Sequence, residues 1–333
     1  METIKSLYKI SGVQLDVNGL CNAGCWFCPI SYAGNPLSAR RDMTLDEIES
    51  VFKQLSDGKG DFVNPDLNLI YSAHYNEVLL YKDLRGMFDL YRKYGFKTNI
   101  LSNGVALTNS RVDLMFEYKD ILNGILLNIP TSDPDKWEKY VKMNKKLFPK
   151  VISNVQYLIK KFGTNPEGMF VHLMINGVNS ESLTKNGGWL DLLENAPDID
   201  LDNDLSNELI KFSTIFPGLD MRTYNHIYDR SGQLEKYGIM TQANAIEKNL
   251  KPMGSKVIGC NGGIEVRSRT NEWIHINANG DTFICCNDFD FDTIFGNVFN
   301  SSLREIWYSS SRQDAIADSY SKMCTKCSAA IWG

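Results

Sequence analysis

Short apolar runs rich in β-branched residues alternate with amphipathic segments over the first 225 residues of the chain. The apolar runs predict strands, and they cover residues 13–17, 67–72, 97–101, 124–129, 170–175 and 221–224. Between them, apolar residues recur at helical spacing, which predicts a helix from residue 44 and others over 82–94, 110–119, 150–162 and 201–212. The first of these helices begins with a capping box, in which Glu47 follows Thr44 by three positions.

Six predicted strands that alternate with helices indicate βαβ units and therefore a parallel sheet. Right-handed crossovers with the helices on one side curve such a sheet toward a barrel. We therefore expect an α/β fold, a partial (β/α)6 barrel that is an incomplete version of the TIM barrel. Functional groups in such folds lie at the carboxyl ends of the strands, and Cys21 follows the first strand.

The pattern changes near residue 252, where Gly, Asn and Asp become frequent and long helical patterns stop. A loop-rich segment of this kind predicts a small module that bound metal stabilises in place of a large core. Two short strands over 273–277 and 281–285 predict a hairpin. The chain is thus expected to consist of a barrel over 1–225, a helical linker over 226–258 and a C-terminal module over 259–333.

Composition and charge exclude some classes of partner. The 333 residues have a net charge of −5 and no local cluster of Lys or Arg, which argues against a nucleic-acid partner. No apolar stretch approaches the roughly 18 residues that a membrane span needs, and the first residues lack the apolar segment of a signal peptide. We expect a cytoplasmic protein without a membrane partner.

The eight cysteines fall into two groups that are far apart in the sequence. The members of the two groups are Cys21, Cys25 and Cys28, and then Cys260, Cys285, Cys286, Cys324 and Cys327. Disulfides are rare in cytoplasmic proteins, and this grouping is typical of metal ligands. Each group therefore predicts a metal site, either an iron–sulfur cluster or a structural zinc ion.

Cys21, Cys25 and Cys28 have the spacing C-x3-C-x2-C, with the aromatic Phe27 before the third cysteine. Three thiolates on one loop suit three irons of a [4Fe–4S] cluster and leave the fourth iron open. This motif resembles the radical S-adenosylmethionine superfamily. The resemblance implies that the open iron binds S-adenosylmethionine, that reduction of this cofactor yields a 5′-deoxyadenosyl radical, and that Phe27 lies near the adenine.

Residues at other predicted strand ends also resemble the family, which implies that they bind the cofactor. Glu77 matches the acid of the family's Gly-Gly-Glu-Pro-like motif, although Tyr75, Asn76 and Val78 replace the glycines and the proline. An ordinary solvated Glu at a helix start is the alternative. The remaining candidates are Ser102 and Asn103 in a turn similar to Thr-Asn-Gly, Asn128 facing the ribose, and Met174 on the strand beside the adenine.

The C-terminal cysteines resemble the auxiliary-cluster module of many superfamily members. The resemblance implies a second [4Fe–4S] cluster held by Cys260, Cys285, Cys324 and Cys327. The further cysteines of the long form of the module, called SPASM, do not follow Cys327, so we expect the shorter twitch form with one cluster. Cys286 is one more than the cluster needs. It is a small buried residue, a hydrogen-atom donor to a substrate radical, or the ligand in place of Cys285.

Two further residues are candidates for catalysis. Arg230 follows the sixth strand beside the expected substrate opening, and Asp288 follows the auxiliary cysteines and is expected to face the cavity. In these positions the side chains bind or deprotonate a substrate. An ordinary surface position is the alternative for Arg230.

The resemblance implies an oxidoreductase or maturase-type enzyme that begins with hydrogen abstraction. We expect a peptide or peptide-like natural product as substrate, with the auxiliary cluster aiding electron transfer or substrate binding. The short segment before the first strand predicts no separate peptide-recognition domain. The alternatives are a dehydrogenase, epimerase or decarboxylase of a sugar or small metabolite, and a zinc-binding structural protein. A flavodoxin or ferredoxin is the expected reductant.

Overall fold

A computed structural model describes residues 8–25, 28–30, 40–72, 76–176, 205–224, 231–233, 255–260, 269–327 and 329–333. The strands are β1 (Gly12–Leu15), β2 (Ile70–Tyr71), β3 (Thr98–Ser102), β4 (Leu122–Asn128), β5 (Phe170–Asn176), β6 (Asp220–Tyr224), β7 (Val257–Cys260), β8 (Trp273–Ile276), β9 (Asp281–Phe283), β10 (Gly296–Asn297) and β11 (Ala330–Trp332). The helices are α1 (Leu45–Asp57), α2 (Leu84–Tyr94), α3 (Asn109–Glu117), α4 (Pro134–Val141), α5 (Phe148–Phe162), α6 (Leu205–Ile215), α7 (Arg269–Glu272), α8 (Leu303–Trp307) and α9 (Ser310–Ser321). Within these ranges, every helix is too short or too polar to cross a bilayer.

Strands β1 to β6 are parallel and neighbour one another in chain order, which confirms the predicted α/β fold with its partial barrel. β1 pairs with β2, and β3 to β6 form a second run of parallel pairs. A parallel bridge between Leu69 and Lys97 joins the two runs, and Ile70 N donates to Lys97 O at 2.9 Å. The carboxyl ends of these strands therefore lie at one edge of the sheet.

The predicted capping box starts α1. Thr44 Oγ1 accepts from Glu47 N at 3.2 Å, and Glu47 Oε2 accepts from Thr44 N at 2.7 Å. The apolar residues of one helix face are all buried, namely Ile48, Val51, Phe52 and Leu55. Helix α4 was not predicted, although Asp133 as the N-cap and Pro134 at the first position are ordinary signals of a helix start.

The two faces of the parallel sheet differ in burial. Ile125 and Leu127 of β4 are fully buried and belong to one core with residues of the surrounding helices. Leu126 of β4 and Met174 of β5 are only partly buried. Alternate side chains of a strand point to opposite faces, so Leu126 and Met174 lie on the face that lines the inside of the partial barrel.

The predicted hairpin is present, since β8 and β9 are antiparallel neighbours joined by residues 277–280. Its attachment to the barrel was not predicted. β8 lies parallel to β1, with Gly12 opposite Trp273 and Leu15 opposite Ile276. The sheet order is β10-β9-β8-β1-β2, so the C-terminal module continues the barrel sheet at its first strand.

The C-terminal module has more helix than its composition suggested. The expectation that long helices stop near residue 252 is wrong, because α9 covers twelve residues and begins at an N-cap serine, Ser309. Helix α9 buries Arg312 and Ser319 in place of an apolar face, so its sequence shows little apolar periodicity. β7 begins at Val257 and pairs with β11. The boundaries at residues 225 and 258 stay predictions, since most of the linker lies outside the described residues.

Gly12 allows the Trp273 ring to lie against β1. A Cβ atom at Gly12 would stand 2.2 Å from Trp273 Cε2, so Gly12→Ala must push the ring or the strand aside. We expect a loss of about 1–3 kcal/mol, seen as a lower urea midpoint for the anaerobic holoprotein.

Gly259→Ala is the matched control for this prediction. A Cβ atom at Gly259 meets Ile331 Cδ1 at 3.5 Å, which is an ordinary contact. If Gly12→Ala unfolds at the same urea concentration as this control, the proposed packing of Trp273 on Gly12 is incorrect.

Candidate functional site

The N-terminal cysteines lie on a compact loop beyond the carboxyl end of β1. Cys28 N donates to Cys25 O at 3.0 Å, and Gly24 N donates to Val141 O, at the end of α4, at 2.9 Å. A Cβ atom at Gly24 would approach Lys142 Cβ to 3.3 Å, so glycine eases this close contact. The end of α4 therefore helps to hold the loop in shape.

The thiols of this loop lie close to one another, with Cys21 exposed and Cys25 and Cys28 partly buried. Burial, and then the nearby Cys28 and Cys21 thiols, raise the pKa of Cys25 well above its ordinary value. Burial likewise raises the pKa of Cys21 to about 11. Thiolates that repel one another are stabilised by a bound metal, which fits the predicted iron ligands. Phe27 lies outside the described residues.

Glu77 follows β2 and is almost completely buried, with 2% of its surface exposed. Its backbone N donates to Leu20 O at 2.8 Å, which attaches it to the residue before Cys21. Its Oε2 accepts from Asn103 N at 3.0 Å. Its Oε1 has no hydrogen-bond partner in the part of the chain that the structure describes. A buried carboxylate oxygen of this kind fits a cationic N–H donor on a ligand.

The Glu77 carboxyl group is close to its titration point at neutral pH. Burial raises its pKa to about 7, although hydrogen bonds from Asn103 N and Ser102 act in the opposite direction. A cationic ligand at Oε1 would favour the ionised form. The site is thus well suited to the amino group of S-adenosylmethionine.

Asn103 connects the turn after β3 with the acid and with the cysteine loop. Its backbone N binds Glu77, and its Nδ2 donates to Asn22 Oδ1 at 2.8 Å. Ser102 Oγ accepts from Gly104 N at 3.1 Å, so Ser102 also stabilises the turn. The structure therefore brings Glu77, Ser102 and Asn103 together beside the cysteine loop.

Three asparagines of this network were not predicted to act there. Asn18 is fully buried and its Nδ2 donates to Glu77 O at 3.3 Å. Asn76 Nδ2 donates to Asn18 Oδ1 at 2.6 Å and to Ser72 O at 3.0 Å. In the sequence, Asn76 was visible only as a replacement for a family glycine, and nothing distinguished Asn18 or Asn22 from other polar loop residues.

Asn128 and Met174 lie opposite each other near the carboxyl ends of β4 and β5. Met174 also lies opposite Arg222 of β6, and Met174 O accepts from Ile129 N at 3.1 Å. Register partners in a parallel sheet share a face, so the three side chains line the barrel interior. Arg222 forms an exposed ion pair with Asp220 at 2.9 Å. The roles of Asn128 and Met174 toward a cofactor stay predictions.

Four C-terminal cysteines are brought together from three segments. Cys260 ends β7 opposite Ala330 of β11, and Cys327 N donates to Cys324 O at 3.1 Å. Burial, followed by the nearby Cys327 and Cys260 thiols, raises the pKa of Cys324 to about 12. Asn287 N contacts the Cys285 sulfur at 3.4 Å, and Asn287 Nδ2 contacts the Cys327 sulfur at 3.9 Å.

This set of donors fits an iron–sulfur cluster, because all four are cysteine sulfurs. Within the described residues, no group of three or more His, Cys, Asp or Glu side chains could hold a single metal ion. The Arg269 guanidinium donates to Cys286 Sγ, whereas the Cys285 sulfur contacts Asn287 N and the neighbouring Cys286 thiol. The choice of Cys285 as the cluster ligand stays a prediction.

The remaining catalytic candidates receive less support from the geometry. Asp288 Oδ1 accepts from Asp292 N at 3.0 Å, and Oδ2 accepts from Thr293 N at 2.9 Å. Burial raises the pKa of Asp288. Both oxygens close their own loop, which favours a structural role, although Asp288 also borders a cavity of about 360 Å³ beside Gln233. Arg230 lies outside the described residues.

The raised pKa of Glu77 leads to a pH-dependent prediction. Below about pH 7 the carboxyl group is protonated and accepts a hydrogen bond from the cofactor's amino group less strongly than the carboxylate does. We expect the affinity of the anaerobic holoprotein for S-adenosylmethionine to rise as the pH increases through about 7. Glu77→Gln should weaken binding above this pH by about tenfold or more and remove the pH dependence.

Equilibrium dialysis with isotope-labelled cofactor measures this affinity. Glu117→Gln is the matched control, because Glu117 forms an exposed ion pair with Arg85 and lies on α3. The control should bind the cofactor like the wild type. Unchanged affinity in Glu77→Gln would contradict the assignment of Glu77.

Three solved structures show a similar fold. BtrN in complex with AdoMet and 2-DOIA matches with a TM-score of 0.54 and 17% identity, over 96% of this chain and 91% of that chain. Streptococcus suis SuiB bound to precursor peptide SuiA has a TM-score of 0.54 and 16% identity, with coverage of 97% and 70%. Native anSMEcpe with AdoMet and Kp18Cys peptide has a TM-score of 0.54 and 14% identity, with coverage of 95% and 86%. No curated protein matches the chain significantly.

Two family models match separate parts of the chain. The model of the radical SAM superfamily matches residues 17–185, which is more than half of the chain and includes the N-terminal cysteines. The SPASM model, described as an iron-sulfur cluster-binding domain, matches residues 268–328, so Cys260 precedes its range. Both matches support iron–sulfur clusters and S-adenosylmethionine as cofactors and give no support to a zinc-binding structural protein. The chain therefore belongs to the radical SAM superfamily and has a C-terminal SPASM domain.

Proposed function

We propose that this protein cleaves S-adenosylmethionine reductively and uses the 5′-deoxyadenosyl radical to abstract hydrogen from a peptide or peptide-like natural product. The auxiliary cluster aids electron transfer or substrate binding. The observation that supports the proposal most directly is the buried Glu77 Oε1. Among the described residues it has no hydrogen-bond partner, and the Glu77 backbone is bonded to the residue that precedes Cys21.

Each group of residues has its own task in this proposal. Cys21, Cys25 and Cys28 hold three irons and leave one open for the cofactor's amino and carboxylate groups. Glu77 accepts from the cofactor's amino group, and Asn103 fixes Glu77 relative to the cysteine loop. When bound, the cluster and the cofactor supply an electron and a carbon radical, which no side chain supplies.

The nucleoside part of the cofactor is proposed to lie along the interior face of the sheet. Asn128 and Met174 are neighbours there on adjacent strands, so both side chains can contact one ligand. Asn128 then faces the ribose and Met174 lies beside the adenine. Phe27 is the third proposed contact of the adenine.

The proposed substrate space is the inside of the partial barrel, between the two cysteine groups. One part of its wall is aromatic, since Tyr71 stacks on Trp273 with ring centres 5.4 Å apart. β9 runs antiparallel to β8, so Cys285 returns to the level of the amino end of β1. The length of β1 alone separates this level from the carboxyl-end cysteine loop by about 10 Å. The auxiliary cluster is therefore the proposed acceptor of an electron from a substrate radical in this space.

The proposal of a peptide substrate is supported by two fold neighbours that were solved with peptides, SuiB with SuiA and anSMEcpe with Kp18Cys peptide. BtrN was solved with AdoMet and 2-DOIA instead. A dehydrogenase, epimerase or decarboxylase of a sugar or small metabolite is therefore kept as the second candidate. Cys286, Arg230 and Asp288 remain candidates for the step that follows hydrogen abstraction.

We also propose a cytoplasmic location and a flavodoxin or ferredoxin as the electron donor. The N-terminal cluster has to be reduced before the cofactor is cleaved, and small electron carriers of this type supply single electrons. Binding of the donor is expected to require no membrane.

Iron counting and product analysis test the reaction class. After anaerobic reconstitution we expect about eight irons per chain from two clusters, and about four in Cys21→Ala/Cys25→Ala/Cys28→Ala. With dithionite and S-adenosylmethionine, only the wild type should form 5′-deoxyadenosine. Bound zinc, no cluster absorbance and no 5′-deoxyadenosine would contradict the proposal.

Deuterium transfer tests the substrate class. A tryptic digest of deuterated bacterial protein and a deuterated extract of sugars and small metabolites are offered separately, and 5′-deoxyadenosine is analysed by mass spectrometry. We expect deuterium in 5′-deoxyadenosine with the peptide digest. Transfer from the metabolite extract alone would support the second candidate function. The triple cysteine variant is the control and should transfer no deuterium from either mixture.

A further inference from the structure

Arg269 is a partly buried arginine beside the auxiliary cysteines. It lies on α7, directly before β8. Its guanidinium donates to Cys286 Sγ and stands 4.3 Å from the centre of the Trp273 ring. Burial disfavours the charge, but the sulfurs of Cys286, Cys285 and Cys260 outweigh burial and raise the pKa of Arg269. The guanidinium is therefore a fixed positive charge next to the proposed cluster ligands.

The short helix that carries Arg269 is held by residues that are not cysteines. Arg312 Nη2 donates to Thr270 O at 3.2 Å, and the hydroxyl groups of Thr270 and Tyr320 are 2.8 Å apart. Arg312 itself stands 3.6 Å from the centre of the Trp307 ring. These contacts attach α7 to α8 and α9 and fix the backbone that carries Arg269, while the Trp273 ring and Cys286 Sγ contact the guanidinium itself.

A fixed positive charge has a predictable effect on an iron–sulfur cluster. Cluster potentials depend on net charge, on hydrogen bonds to the sulfurs and on exposure to solvent. Reduction adds a negative charge to a cluster that four thiolates already make negative. A nearby cation in a poorly solvated site stabilises the reduced form more than the oxidised form. The reduction potential therefore rises.

We propose that Arg269 is a positioning residue of the auxiliary site, where it raises the reduction potential of the cluster and holds Cys286 outside the ligand set. This inference rests on the proposed function, because it takes an auxiliary cluster as bound. A higher potential suits a cluster that accepts an electron from a substrate radical. The Trp273 ring that contacts the guanidinium also stacks on Tyr71, so the charge lies next to the proposed substrate space.

The potential is measured in the full chain with the N-terminal cluster removed. The background is Cys21→Ala/Cys25→Ala/Cys28→Ala, reconstituted so that only the auxiliary cluster is present. A redox titration with mediators follows the EPR signal of the reduced cluster. The variants compared in this background are Arg269→Gln, which removes the charge, and Arg269→Lys, which keeps it.

Arg304→Gln is the charge control, because Arg304 lies in the same module but forms an exposed ion pair with Asp61. At a fixed applied potential we expect Arg269→Gln to lower the ratio of reduced to oxidised cluster by about tenfold, which equals about 59 mV for one electron. Arg269→Lys should lower the ratio by less than about threefold. Arg304→Gln should not change it.

Several outcomes would overturn the role of Arg269. One is an unchanged potential in Arg269→Gln, and another is an equal loss in Arg269→Lys. If Arg269→Gln does not hold a cluster, Arg269→Met replaces it, since the Met side chain keeps apolar contact with Trp273. Loss of the cluster in Arg269→Met as well would mean a structural role and would also overturn the proposal.

Cys286→Ala and Cys285→Ala test the second part of the proposal in the same background. We expect Cys286→Ala to keep about four irons and Cys285→Ala to lose them. The reverse result would make Cys286 the ligand and contradict the role of Arg269 in holding it apart. If the triple cysteine variant binds no cluster at all, the auxiliary site itself is contradicted. If it binds a cluster whose potential Arg269→Gln does not change, only the role of Arg269 is contradicted, and the proposed function is unaffected.

Discussion

The parallel contact between β1 and β8 determines where both cysteine groups lie. Gly12 faces Trp273 and Leu15 faces Ile276, so the C-terminal hairpin is part of the barrel sheet. The N-terminal cysteine loop lies beyond the carboxyl end of β1. The chain that leaves the hairpin brings Cys285 back toward the amino end of β1. One short strand thus sets the spacing of the two proposed redox sites. The absence of a side chain at Gly12 makes room for the Trp273 ring on this strand.

A second constraint acts at the carboxyl ends of the strands, where a carboxyl group is buried. Burying an acid without a full set of partners costs free energy, and the pKa of about 7 for Glu77 reflects this cost. Asn103 and Asn22 hold the acid against the cysteine loop, so the cost is concentrated at one oxygen. A cationic group bound there relieves it. The same burial that destabilises the protein without ligand therefore favours the cofactor.

Much of the fold was predictable because it depends on local patterns. Alternating apolar runs gave the six parallel strands, and Thr44 with Glu47 gave the start of α1. The cysteine groups were predictable because metal chemistry requires those residues at close spacing. The pairing of β8 with β1 was not predictable, because partners more than 250 residues apart leave no periodic pattern. Asn22 and Asp288 show the same limit, since only the folded chain reveals which groups their polar atoms contact.

EPR spectra of the reduced protein, recorded before and after addition of S-adenosylmethionine, test most directly whether the two cysteine groups form distinct sites. Two cluster signals are expected in the reduced protein, and the cofactor should change only one of them. That signal should be missing from Cys21→Ala/Cys25→Ala/Cys28→Ala, while the other remains. Spectra that do not respond to the cofactor, or a response that persists in the triple variant, would contradict the assignment of the cofactor to the cysteine loop beside Glu77.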